Sequence, residues 1–266
     1  MNITKKIVAV ACLMSLNAKV FCINSSDSLG LAGDHLDLYA TLDLFKKSES
    51  PEAFEKSLND KNTGINNLDL NNDGVVDYVK VIDKGEGDNH ALVLQDVINE
   101  KESQDVAVIE IQKKGNDEAH IQIVGDEDLY GKDYIIEPGD QQQAATGTPP
   151  PPPADVHSTV YVNVWPWHPV RYIYGPSYRV WVSPWGWRHY PGYWRPWHPA
   201  VYHLYYQRTH HYHYPYYHRT VVYRVKDVHN VYYAHRTTSA TYQQNRTAYN
   251  RHADKHAHKK NKKAGK

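Results

Sequence analysis

Thiols are scarce in this chain of 266 residues: Cys12 and Cys22 are its only cysteines. Both fall in a leader-like opening segment. Cleavage after that segment leaves no disulfide, no thiol nucleophile and no cysteine-based metal site. Long apolar runs are also missing. Beyond the opening residues nothing approaches the roughly 18 consecutive apolar residues of a membrane-spanning helix. There is no nucleophile elbow, no phosphate-binding glycine loop and no His-Glu-x-x-His signature, so no motif with a catalytic mechanism is present. The two halves lack opposite things. Residues 23–155 hold 28 Asp and Glu against 10 Lys and Arg, a net of −18. Residues 156–266 hold 2 against 17, a net of +15, with 14 of the 17 histidines, 18 of the 22 tyrosines and all seven tryptophans. Segregation of this kind points to an interaction surface or tail.

Residues 1–22 read as a signal peptide. Lys5 and Lys6 give the positive region, Ile7 to Leu16 the short apolar region, and Val20 with Cys22 a small-x-small cleavage pattern. Lys19-Val20-Phe21 lacks the residues that precede a lipidated cysteine, so simple export is expected, to the periplasm, the outer envelope or the medium.

Residues 23–140 read as one acidic α+β domain. Leu36, Tyr39, Ala40, Leu42 and Phe45 recur at helical spacing, with Asp34 as the expected cap. Ser50-Pro51-Glu52-Ala53 opens a second helix with an N-cap and a proline at its first position. Strand-like runs follow at Val76–Ile82, Ala91–Ile98, Val106–Ile111, His120–Val124 and Tyr134–Ile136, separated by Gly/Asn/Asp turns. That order predicts an antiparallel meander with the two helices on one face. The carboxylates of Asp126 and Asp128 could be drawn as an acid/base couple, but in an acidic domain such residues are mostly solvated turns. A non-enzymatic protein is expected.

Asp69-Leu70-Asn71-Asn72-Asp73-Gly74-Val75-Val76-Asp77 is the most specific motif in the chain. Oxygen-bearing side chains stand at loop positions 1, 3, 5 and 9, with glycine at 6, the spacing with which a tight turn aims oxygens at a hard cation. The stretch resembles EF-hand and dockerin calcium loops, and more closely the nine-residue loops that lead into strands in integrin-like β-propeller repeats. The resemblance covers nine residues and implies a site, with Asp69, Asn71, Asp73 and Asp77 as side-chain ligands to calcium and Val75 as a carbonyl ligand. Position 12, a bidentate glutamate in EF-hands, is Lys80. Asn-Asp-Gly is also a good polar turn.

Gln141–Gln143 and Pro149–Pro153 mark residues 141–155 as a stiff linker expected to hold the halves apart. Residues 156–236 are Trp/Tyr/His/Pro-rich, and 237–266 form a basic tail expected to be disordered. Few aliphatic residues and frequent proline predict a largely irregular, weakly packed region. Trp165-Pro166-Trp167-His168-Pro169 is echoed by Trp194-Arg195-Pro196-Trp197-His198-Pro199. Tryptophan faces stack on sugars and arginine pairs with anions, so Trp165, Trp167, Trp194, Arg195 and Trp197 are candidate contacts to an anionic or glycan-rich polymer. His210, His211 and His213, with His252, His256 and His258, are candidate ligands to zinc, copper or nickel. Nucleic acid is a further partner for a basic, aromatic tract, disfavoured by export. The acidic half is itself a partner for the basic one, and a plain tether is the bland alternative.

As a whole the chain resembles secreted proteins of Gram-negative bacteria that join a calcium-like loop to a Trp/Tyr/His/Pro-rich basic region, a class with no activity to carry over. The expected function is a calcium-binding acidic domain with an adhesive tail. The alternative is a periplasmic histidine-rich transition-metal binder.

Overall fold

The computed structural model describes residues 28–139, 161–213 and 216–246. The signal peptide, the Gln/Pro linker, and His252, His256 and His258 lie outside them.

Helix α1 spans Leu38–Lys47 and α2 spans Pro51–Leu58. Ser50 caps α2 as the sequence predicts, accepting from Ala53 N at 3.1 Å. The cap of α1 is Asp37, not Asp34. An N-cap carboxylate must reach an N–H two or three residues on, and Asp37 accepts from Ala40 N at 3.0 Å. Asp34 instead sits in a 3-10 turn, Ala32–His35, and accepts from Leu29 N and Gly30 N. Phe45 and Phe54 meet edge-on at 5.5 Å and lock α1 to α2.

Strands β1 (Val79–Asp83), β2 (Asn89–Val97), β3 (Ser103–Gly115), β4 (Glu118–Gly125) and β5 (Ile135–Pro138) follow as an antiparallel meander, with the short helix α3 (Glu127–Tyr130) between β4 and β5. One sheet face carries Val79, Val81, Leu92, Leu94, Ile109 and Ile123 against Leu42, Phe45 and Phe54 of the two helices. The opposite face is buried as well, through Ala91, Val93, Val108, Val124 and Ile135. Burial on both faces explains why β2 and β3 are continuous apolar runs and not alternating ones.

What covers that second face comes from the basic half. Among its described residues are α4 (His168–Ile173), α5 (Tyr202–Thr209), a sixth strand β6 (Tyr217–Thr220) and α6 (Lys226–Tyr233). Val225, Val228 and Tyr232 pack onto the second sheet face. Strand β6 pairs antiparallel with β5, from Ile135↔Thr220 to Pro138↔Tyr217, and closes an edge that would otherwise present open backbone groups. Val164, Val170 and Ile173 join the helix-side core. The expectations of weak packing over 156–236 and of halves held apart are therefore corrected where these contacts fall, whereas residues 174–201 contain no helix or strand, as the irregular reading expects. Of the basic tail, residues 240–246 are helical, and Ser239 and Tyr242 are buried.

The physical reason is tyrosine. Each ring buries ~150–250 Å² and carries a hydroxyl that can satisfy a buried backbone group. Tyr205 OH donates to Ile65 O and accepts from Asp37 N, both at 2.7 Å. Tyr217 and Tyr232 donate to Asp43 and Asp105. Among the described residues no helix is long and apolar enough to cross a membrane.

Candidate metal centre

The Asp69–Asp77 loop enters β1 between two apolar anchors, Leu70 and Val76, both buried. Its tight course requires left-handed backbone at Asn72 and Gly74, with φ of 59° and 84°. Glycine reaches such values without a Cβ clash. The side chains of the loop fold inward onto its own amides. Asp69 accepts from Asp73 N and Gly74 N at 3.0 Å each, Asn71 from Asp73 N at 2.9 Å, and Asp73 from Val75 N at 3.0 Å. Asp77 closes the loop, accepting from Leu70 N at 2.6 Å.

The result is convergence. One carboxylate oxygen from each of Asp69, Asp73 and Asp77 lies within 4.8 Å of the others, and Asn71 Nδ2 is 3.3 Å from Asp73. Like charges at that separation repel by about 3 kcal/mol per pair at an effective dielectric of ~20. A divalent cation at the centre reverses the sign of the interaction. The converging donors are all oxygens, which favours a hard cation over zinc or copper.

Asp96 is the residue that sequence reasoning missed. It lies in β2 directly opposite Val79, on the sheet face that Asp77 also shares, two residues before Val79. Its side chain is fully buried, with no well-formed hydrogen bond to either oxygen. Burial pushes Asp96 well above the usual carboxylate range, reinforced by Asp77 beside it. Burial likewise pushes Asp77 up to about 7. Asp69 is raised by burial, with the charge of Asp73 adding to it. A lone acid inside an apolar strand run was the available signal.

The basic half grips this loop. Val76 N donates to Trp197 O at 2.7 Å, and His198 Nδ1 donates to Gly74 O at 2.7 Å. Asn67 and Ala200 exchange two hydrogen bonds, at 2.7 and 2.9 Å.

The other predicted site residues do not assemble. Trp194 is 6 % exposed and packs against Tyr78, Tyr190 and Trp197, so its face is not open to a polymer. Trp165 stacks on Tyr174 beneath Lys113, Trp167 lies under Lys46, and Arg195 folds back onto the Gly192 and Trp194 carbonyls. His210 bonds the Tyr206 carbonyl, His211 packs on Tyr212, and His213 bonds Asp37 while stacking on Tyr39. Among the described residues, Asp69, Asp73 and Asp77 are the one group of three or more candidate ligands that converges. Asp126 and Asp128 are not an acid/base couple free to act: Arg236 binds both, and Arg246 binds Asp128.

No protein-family model, curated protein or solved structure matches this chain.

Proposed function

We propose that this is a non-enzymatic, exported binding protein whose fold is stabilised by one calcium ion in the Asp69–Asp77 loop. The observation that carries the reading is the convergence of Asp69, Asp73 and Asp77 within 4.8 Å on a loop already turned by its own amides. Asp96 supports it, as a fully buried carboxylate beside Asp77. The ligands would be Asp69, Asn71, Asp73 and Asp77, with the Val75 carbonyl. Export rests on the leader-like residues 1–22 and on the absence of cysteine after them.

Without a bidentate twelfth-position glutamate, affinity belongs with extracellular modules, in the ~10⁻⁴–10⁻³ M range. Calcium at 100-fold excess over its dissociation constant then adds about 2.7 kcal/mol of stability. The test is thermal melting of the mature chain in calcium, in magnesium and in chelator. Calcium should raise the midpoint, and Asp73→Ala should remove most of the gain. Equal midpoints in calcium and chelator refute the site. The transition-metal alternative gains nothing from His210, His211 and His213, which face different partners.

A further inference from the structure

A cavity of about 170 Å³ opens where the end of β4 and the Lys132–Asp133 loop meet α6. It is far simpler in chemistry than its acidic surroundings suggest. Asp126 and Glu127 are consumed by Arg236, and Asp133 accepts from Tyr223 OH at 3.1 Å. The fixed charges nearly cancel: three carboxylates stand against Lys132 and Arg236.

His229 is the group this cavity holds ready. Its Nδ1 is 2.7 Å from Glu110, a β3 glutamate that is fully buried and whose second oxygen has no partner. Its ring is packed between Tyr223, at 4.1 Å, and Tyr233, at 5.6 Å. Ring position and tautomer are thus set from behind, and Nε2 has no protein partner among the described residues. Docking α6 does not need this arrangement. Val225, Val228 and Tyr232 already bury its apolar face, and replacing a buried polar pair with apolar side chains is often neutral or stabilising. What a buried carboxylate gives an imidazole, and a leucine would not, is orientation. Tyr233 stands at the mouth with 48 % of its surface exposed, and Lys132 is exposed with no ion-pair partner among the described residues.

We infer that this cavity binds a single neutral sugar ring, with His229 Nε2 and Lys132 hydrogen-bonding its hydroxyls and the exposed edge of Tyr233, whose ring also meets Arg236 and His229 and whose hydroxyl donates to Glu127, lining its C–H face. The balanced charge selects a neutral ligand, the aromatic wall suits a C–H-rich ring face, and the size admits one ring. The site is independent of the calcium loop.

The experiment is ligand-observed NMR on the mature full chain. Probes are methyl glycosides of glucose, galactose, mannose and N-acetylglucosamine, with glucuronic acid as the charged comparison. At least one neutral glycoside should bind with a dissociation constant of ~1 mM, as expected for a small, open site. Chelator should leave binding unchanged, which separates this result from the calcium reading. His229→Ala should weaken binding about tenfold, by loss of a positioned hydrogen bond. Tyr233→Ala, at the surface and outside the core, should weaken it about fivefold while far-UV circular dichroism stays unchanged. The inference falls if no neutral glycoside binds, if glucuronic acid alone binds, or if both folded variants bind like the parent.

Discussion

Replacing Glu55 tests whether the two halves are one cooperative structure. Glu55 sits on α2 with 1 % of its surface exposed. One oxygen accepts from Tyr78 OH at 2.7 Å and Ser183 Oγ at 2.8 Å, and the other from Val81 N at 2.9 Å and Trp181 Nε1 at 3.1 Å. Four donors from α2's neighbours in both halves thus share one carboxylate, and no cation pairs with it among the described residues. Burial pushes its pKa up, while these donors hold it back. Glu55→Ala strands two N–H donors, which cannot turn away, at about 1–3 kcal/mol each, and forfeits the two hydroxyl bonds. The expected loss is about 4 kcal/mol, a large part of a domain's ~5–15 kcal/mol. Glu55→Gln should lose only about 1–2 kcal/mol. Its carbonyl can serve the two N–H groups, and the hydroxyls of Tyr78 and Ser183 can rotate to accept from its amide.

The assay is urea unfolding followed by two signals. All seven tryptophans lie in the basic half, so fluorescence reports that half, while far-UV circular dichroism reports the helices and the sheet. With a slope of about 1–3 kcal/mol per molar urea, Glu55→Ala should lower the midpoint by more than about 1 M. Both signals should move together. A loss under about 1 kcal/mol, or a fluorescence transition that separates from the circular dichroism transition in the parent, refutes the reasoning.

Two further outcomes follow from the interface between the halves. Arg236→Ala should cost about 3–5 kcal/mol in the same assay, because it abandons the fully buried Asp126 carboxylate, and Arg236→Lys should recover less than half, since an ammonium cannot fork across Asp126, Glu127 and Asp128. Burial works to raise the pKa of Glu137, but hydrogen bonds from His218 and Arg224 outweigh it and hold the group below its ordinary value. A depressed folded pKa gives stability that is full above the unfolded value of about 4.5 and lost as pH falls through the folded one. The melting difference between the parent and Glu137→Gln should therefore shrink below pH ~4.5, and a constant difference down to pH ~2 would count against the pairing.

The acidic half was legible because its signals are local. Gly85-Glu86-Gly87-Asp88 and Lys114-Gly115-Asn116-Asp117 mark the β1–β2 and β3–β4 turns, and each flanking run became a strand. Ser50-Pro51 gave the start of α2. The basic half was misread where tyrosine stood in for aliphatic core. Tyr202, Tyr205, Tyr206 and Thr209 fall at i, i+3, i+4 and i+7, a helical stripe that becomes visible once tyrosine is counted as a core residue. Val225, just before α6, with Val228 and Tyr232 within it, falls at i, i+3 and i+7 of a similar stripe. Strand β6, Tyr-His-Arg-Thr, has no alternation to detect and exists because β5 offers it an edge. At the candidate metal loop the ligand spacing was readable, whereas Asp96 required the β1–β2 register, and the Trp197–Ala200 clamp required contacts more than 100 residues apart in sequence.

The charge segregation changes meaning once these contacts are known. As separate bodies, halves of −18 and +15 invite a polyanion to the basic one. In the folded chain Arg224, Arg236 and Arg246 and the histidines 213, 218 and 229 each meet a carboxylate of the acidic half. A polyanion would have to displace those partners, several of them buried, while surface charges alone are screened within about 8 Å at physiological ionic strength. Part of the segregation along the sequence therefore serves complementarity within the molecule. The same docking bears on calcium. Trp197 and His198 bond the loop at Val76 and Gly74, so the loop geometry that converges Asp69, Asp73 and Asp77 is also the one that holds the basic half. Linkage is reciprocal: to whatever extent calcium favours that geometry it tightens docking, and docking tightens calcium by the same factor.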